Sequence, residues 1–155
     1  MRQRTLIRSV IFLLILCPSV LTQAYAQSCE KIVRSFNARL SPRIDERELV
    51  EVLRYLNATD HKKLPPGFVS KREARSRGWK PGRDLWSVNG LRGSSIGGDR
   101  FHNREEQLPY DHWREADLDY KGGRRGAKRL VFSRSGDRFV TMDHYKTFLE
   151  VPPCE

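Results

Sequence analysis

Apolar positions follow two regimes along the chain. From Ile32 to Leu56 they recur at helical spacing, and from Leu118 onward they come in short runs broken by glycine and aspartate. Ile32, Val33, Phe36 and Leu40 mark one amphipathic stripe, and Leu49, Val52, Leu53 and Leu56 mark a second. Ser41-Pro42 offers an N-cap followed by proline at the first helical position. Asp45, Glu46 and Glu48 lie early in the second stripe, where a helix dipole favours acids. Residues 57–66 break the pattern. Ser70 and Glu73 then form a capping box, with Gly78 where a left-handed C-terminal residue is wanted, which predicts a short helix carrying Lys71 in its first turn.

Residues 80–112 are glycine-rich and read as loop. Gly97-Gly98-Asp99 reads as a tight turn, because it lacks the spacing and Lys-Ser/Thr ending of a phosphate-cradling loop. Leu118/Tyr120, Leu130/Phe132, Phe139 to Met142 and Thr147 to Leu149 are separated by Gly122-Gly123, Ser135-Gly136-Asp137 and Asp143-His144, which predicts an antiparallel meander. Helices first and strands second imply an α+β domain, with N-terminal helices packed on a C-terminal antiparallel β-sheet.

The first 26 residues stand apart. A basic start with Arg2, Arg4 and Arg8, an apolar run from Val10 to Leu16, and Ala24-Tyr25-Ala26 as a small-x-small cleavage site read as a secretory signal. A membrane anchor is the alternative, but the run is interrupted at Pro18 and falls short of the roughly 20 residues that span a bilayer. The chain is therefore expected to be exported, to a periplasm or the outside, without stable membrane association. The expected parts are a signal at 1–26, an N-terminal extension at 27–44 and a domain at 45–155.

Composition sharpens this. Of 155 residues, 29 are Lys or Arg and 19 Asp or Glu, for a net charge of +10; removing residues 1–26, which hold three arginines and no acid, leaves +7. Such a charge attracts polyanions without choosing among them. Cys17 falls in the signal, which leaves Cys29 and Cys154 near the two ends of the exported chain. An oxidising compartment favours a disulfide between them, and two free thiols or an intermolecular bond are the alternatives.

No paired-cysteine zinc motif, His-Glu-x-x-His or two-metal acidic cluster is present. A metal-free phosphodiesterase instead needs an acid and a base flanking phosphorus, plus cations for the charge that grows on its oxygens. Glu115, His144 and the basic run Arg124, Arg125, Lys128, Arg129 supply such a set, although a strand-end Glu, a turn His and a basic loop also decorate many basic proteins.

Motif order decides between these readings. Lys63-Leu64-Pro65, Ser70-Lys71-Arg72-Glu73-Ala74, Gly78-Trp79, Ser95-Ile96-Gly97-Gly98-Asp99, Phe101-His102-Asn103-Arg104-Glu105, Leu108-Pro109, Trp113-Arg114-Glu115-Ala116-Asp117, Tyr120 and Asp143 to Phe148 occur in an order that resembles the barnase-like family of bacterial guanyl-preferring ribonucleases. The resemblance implies a microbial ribonuclease fold and a monomeric enzyme that cuts RNA without a cofactor. It implies Glu115 as general base and His144 as general acid, with Lys71, Arg125 and Arg129 around the phosphate. It also implies a guanine-binding loop of His102, Asn103, Arg104 and Glu105, with Tyr145 beside the base or phosphate, and an acidic barstar-like inhibitor as partner. His102 departs from the serine expected there, the stretch between Pro109 and Trp113 is short, and residues 27–44 and the cysteine pair extend beyond the resemblance. A catalytically silent basic module that binds RNA or another polyanion would share the charge and the fold.

Overall fold

The computed structural model describes residues 27–155; the signal expected over 1–26 lies outside them. Helix α1 (Cys29–Asn37) is capped by Ser28, whose side chain accepts from the Lys31 N–H, and α2 (Glu46–Ala58) by Asp45, which accepts from the N–H groups of Arg47 and Glu48. The start expected at Ser41-Pro42 is thus four residues early: an ionised carboxylate next to the first turn supersedes serine as the cap. Strand β1 (Phe68–Val69) leads directly into α3 (Lys71–Ser76), and a turn of 3₁₀ helix covers Leu85–Ser87. Ser70 caps α3 through the Glu73 N–H, as the capping box predicts. The reciprocal half is absent, because Glu73 Oε1 accepts from Arg77 Nη2 at 2.7 Å instead.

The sheet runs β1-β2-β3-β4-β5-β6 in sequence order, with β2 (Ser95–Arg100), β3 (Arg114–Asp117), β4 (Arg129–Phe132), β5 (Arg138–Thr141) and β6 (Leu149–Glu150). All neighbours are antiparallel except β1 and β2, which are parallel. Gly97-Gly98-Asp99 lies inside β2 rather than in a turn. The β2–β3 register shifts between Gly97 and Asp99, and Gly98 has φ +86°, so one glycine supplies a left-handed residue at a bulge. At Gly97 a Cβ would lie 2.7 Å from the side chains of Leu64 and Phe68, so the other glycine lets that layer approach the strand. Residues 118–120, expected as strand, follow the end of β3.

Alternation along β3 and β4 divides the two sheet faces. Ala116, Leu130 and Phe132 face the helices and share a core with Val33, Phe36, Leu49, Val52, Leu53 and Leu56. The Cys29–Cys154 disulfide closes that core, with a sequence separation of 125, and residues 27–44 contribute α1 to it. Val131 on the other face packs with Trp113 and Leu108. The same alternation puts Glu115, Asp117 and Arg129 on the Val131 face. Among the described residues no helix is long and apolar enough to cross a membrane.

Candidate active site

Glu115 stands mid-strand in β3, 6% exposed, with both carboxylate oxygens engaged. Oε1 accepts from Lys71 Nζ at 2.5 Å and Oε2 from the Tyr145 hydroxyl at 2.6 Å. Lys71 reaches it from the first turn of α3, whose start is tied to the sheet by the Lys71 N–H donating to Asp99 Oδ2. Burial and the Glu115 carboxylate push the Tyr145 hydroxyl well above its usual pKa, so it stays a neutral donor. Its ring stacks on Phe101, centroids 5.3 Å apart.

The arginines are organised by a residue that sequence reasoning passed over. Asp117, two positions along β3 from Glu115 and 2% exposed, receives Arg125 through Nε and Nη2, the latter at 2.6 Å. Arg129 Nε lies 2.8 Å from the same carboxylate, directly across from Asp117 in the β3–β4 register, and Arg129 Nη1 donates to the Gly126 and Lys128 carbonyls. Burial opposes the charge of Arg125, but its bonds and proximity to Asp117 outweigh this and raise its pKa. Period-two spacing from Glu115 is the sequence signal that points to Asp117.

His144 is exposed on the β5–β6 connection, where it and Tyr145 take positive φ (59° and 69°). Two consecutive left-handed non-glycine residues are costly and persist only where their surroundings over-determine them. Asp143 does so: Oδ1 accepts from Thr141 Oγ1 and from the Lys146 and Thr147 N–H groups, and Oδ2 from Thr147 Oγ1 at 2.7 Å. Those bonds, led by Thr147, hold its carboxyl down at about 2. An aspartate bonding two and more residues ahead is the turn signature that marks it in sequence.

The loop after β2 is closed by Asn103, whose Nδ2 donates to the Leu108 carbonyl at 2.7 Å and whose Oδ1 accepts from the Leu108 N–H. Its side chain thereby ties the two ends of the loop together. Among the described residues, the N–H groups of residues 102–105 donate to no protein group, and Glu105 is exposed with no ion-pair partner. The loop thus presents free backbone donors beside a free carboxylate.

Lys71, Glu115, Arg125, Arg129, His144, His102, Asn103, Arg104, Glu105 and Tyr145 all line one cleft of about 420 Å³. A second hollow of about 390 Å³, lined by Arg83 and Arg124, shares Arg125, Arg129 and His144 with it. The cleft combines a fixed carboxylate, an exposed imidazole and three anchored cations, which suits proton transfer at a phosphodiester.

The ribonuclease family, described as ribonuclease, matches residues 55–152. A ribonuclease of Heyndrickxia coagulans is 42% identical over 95 residues, 59% of this chain and 85% of that protein. A ribonuclease of Bacillus intermedius has the same identity over 57% of its own length, so this chain spans little more than half of that relative. A solved structure of ribonuclease Sa2 with guanosine-2'-cyclophosphate is 36% identical over 34% of this chain and 60% of that one, with a TM-score of 0.31.

Proposed function

This chain belongs to the ribonuclease family, and from that premise we propose that it is an exported endoribonuclease that cuts single-stranded RNA 3′ of guanosine by metal-free transphosphorylation. The observation that carries this reading is the Glu115 carboxylate, held from both oxygens in the cleft that also contains His144. Glu115 takes the proton from the ribose 2′-OH, and the 2′-oxygen bonds to the adjacent phosphorus. The P–O5′ bond breaks, and His144 gives its proton to the departing 5′-oxygen. A 2′,3′-cyclic phosphate results, and DNA, without the hydroxyl, is bound but not cut.

Charge moves in step with these protons. As Glu115 is protonated its charge vanishes and Lys71 loses its counter-ion, at the stage when the non-bridging oxygens gain negative charge. Arg125 and Arg129 need no such release, because Asp117 holds their guanidinium groups in position before substrate arrives. The leaving nucleotide passes His144 into the hollow that Arg83 and Arg124 line.

Guanine preference rests on the loop at 102–105. Its free N–H donors suit the guanine carbonyl oxygen, and Glu105 suits the ring N–H and the 2-amino group. Adenine lacks both of those donors, and a site left unpaired discriminates more strongly than one that merely loses apolar contact. Export is supported by the pattern of residues 1–26 and by the Cys29–Cys154 disulfide. The cationic cleft also suits an acidic protein inhibitor.

The test is cleavage of guanosine and adenosine dinucleotides with a metal chelator present, read as cyclic phosphate. The expected product comes from the guanosine substrate. No cyclic product would favour a silent RNA-binding module, and activity abolished by the chelator would indicate a metal nuclease.

A further inference from the structure

Arg100 and Arg114 sit directly opposite each other on β2 and β3. Like charges in that position are destabilising unless an anion joins them. Arg134, in the β4–β5 turn, lines the same recess, of about 340 Å³, together with His112 and Trp113. None of the three arginines has a carboxylate partner among the described residues; Arg114 Nη1 donates only to the Gly98 carbonyl, at 3.2 Å. The nearby acid, Asp111, is already engaged by the Ser135 hydroxyl and the His112 N–H. Two residues before His112, Tyr110 is 99% exposed. A cationic recess with a bare aromatic ring two residues along the chain from its wall is the chemistry that holds single-stranded nucleic acid, phosphate in the recess and base on the ring.

Direction follows from shared walls. Arg100 lines both this recess and the cleft, whereas His144 lines the cleft and the hollow on the leaving-group side. We propose that Arg100, Arg114 and Arg134, with Tyr110, form a subsite for RNA nucleotides on the 5′ side of the scissile guanosine. The subsite rests on the reading of the cleft as a ribonuclease site and extends it from a dinucleotide to a strand.

The experiment compares GpA with an oligonucleotide carrying three adenosines 5′ of the guanosine, using wild type, Arg134→Glu and Tyr110→Ala. Arg134→Glu should lower kcat/KM for the oligonucleotide about ten-fold at low salt and flatten its log–log salt slope by about 0.7, one phosphate contact on a single strand. Tyr110→Ala should lower it about five-fold, the scale of one lost base stack. Both variants should cleave GpA at the wild-type rate. Unchanged oligonucleotide cleavage, or an equal loss on both substrates, overturns the subsite. A wild-type protein that makes no cyclic phosphate from GpA refutes the catalytic reading instead. In that case titration of a labelled DNA oligonucleotide of the same sequence reads the recess without chemistry: weakening by Arg134→Glu supports it, and equal binding overturns it.

Discussion

Glu115→Gln separates the proton-accepting role of this side chain from its structural one. The carboxylate makes two bonds, one to Lys71 Nζ at 2.5 Å and one to the Tyr145 hydroxyl at 2.6 Å. In the amide, the oxygen keeps Lys71 while the NH₂ faces Tyr145, whose hydroxyl turns to accept. The loss is then the charge on one partly exposed ion pair, about 1–2 kcal/mol of stability, or a melting point lower by roughly 4–8 °C. Chemistry suffers far more, because an amide cannot take the 2′-OH proton. General base catalysis contributes about 10²–10⁴-fold, and a loss of about 10³ corresponds to about 4 kcal/mol of transition-state stabilisation. Cyclic phosphate released from GpA, measured by chromatography, should show kcat/KM lower by that factor. A folded Glu115→Gln protein with kcat/KM within ten-fold of wild type refutes the assignment.

Three other perturbations test the frame around it. Asp117→Asn leaves a buried arginine without its counter-ion, so thermal unfolding should show a loss of about 3–5 kcal/mol, roughly 10–20 °C, together with reduced turnover. Cys29→Ser with Cys154→Ser opens a loop with a sequence separation of 125, and denaturant titration should show a loss of about 2–5 kcal/mol. Because the carboxyl of Asp143 is held down at about 2, its contribution is present above the ordinary carboxylate range and lost as pH falls through about 2. The ring NMR signals of His144 should therefore keep native positions from about pH 4 down to about pH 3, and in Asp143→Asn they should be displaced even at neutral pH.

Local signals wrote the helices into the sequence, and glycine obscured part of the sheet. Ser70, Glu73 and Gly78 gave the limits of α3 because a cap is a bond between near neighbours. The stripe at Leu49, Val52, Leu53 and Leu56 located α2, yet its cap moved from Ser41 to Asp45, which the sequence showed only as an early acid, because the three-dimensional turn chooses the cap. Strand β2 looked like a turn since Gly97 and Gly98 carry no side-chain alternation. What makes them strand is the close approach of Leu64, Phe68 and Ala116, contributed by other elements. β1, two residues long, has no period to read.

The site shows the same division between local and paired information. Motif order identified the residues of the cleft, and the ten it named do line one cavity. It did not show that the cations are spoken for: Lys71 by Glu115, and Arg125 and Arg129 by Asp117. Counted from the sequence, three positive charges surround a phosphate; with their partners included, these five side chains leave a single net positive charge. A cleft of three free cations would hold substrate and product phosphates tightly, binding that lowers KM without raising turnover. With buried carboxylates in place, the arginines are oriented in advance, and in the proposed mechanism the Lys71 charge is released only when Glu115 takes its proton. The stabilisation therefore falls on the transition state, and it depends on Asp117 and Glu115 as much as on the basic residues whose number makes the chain look like a polyanion binder.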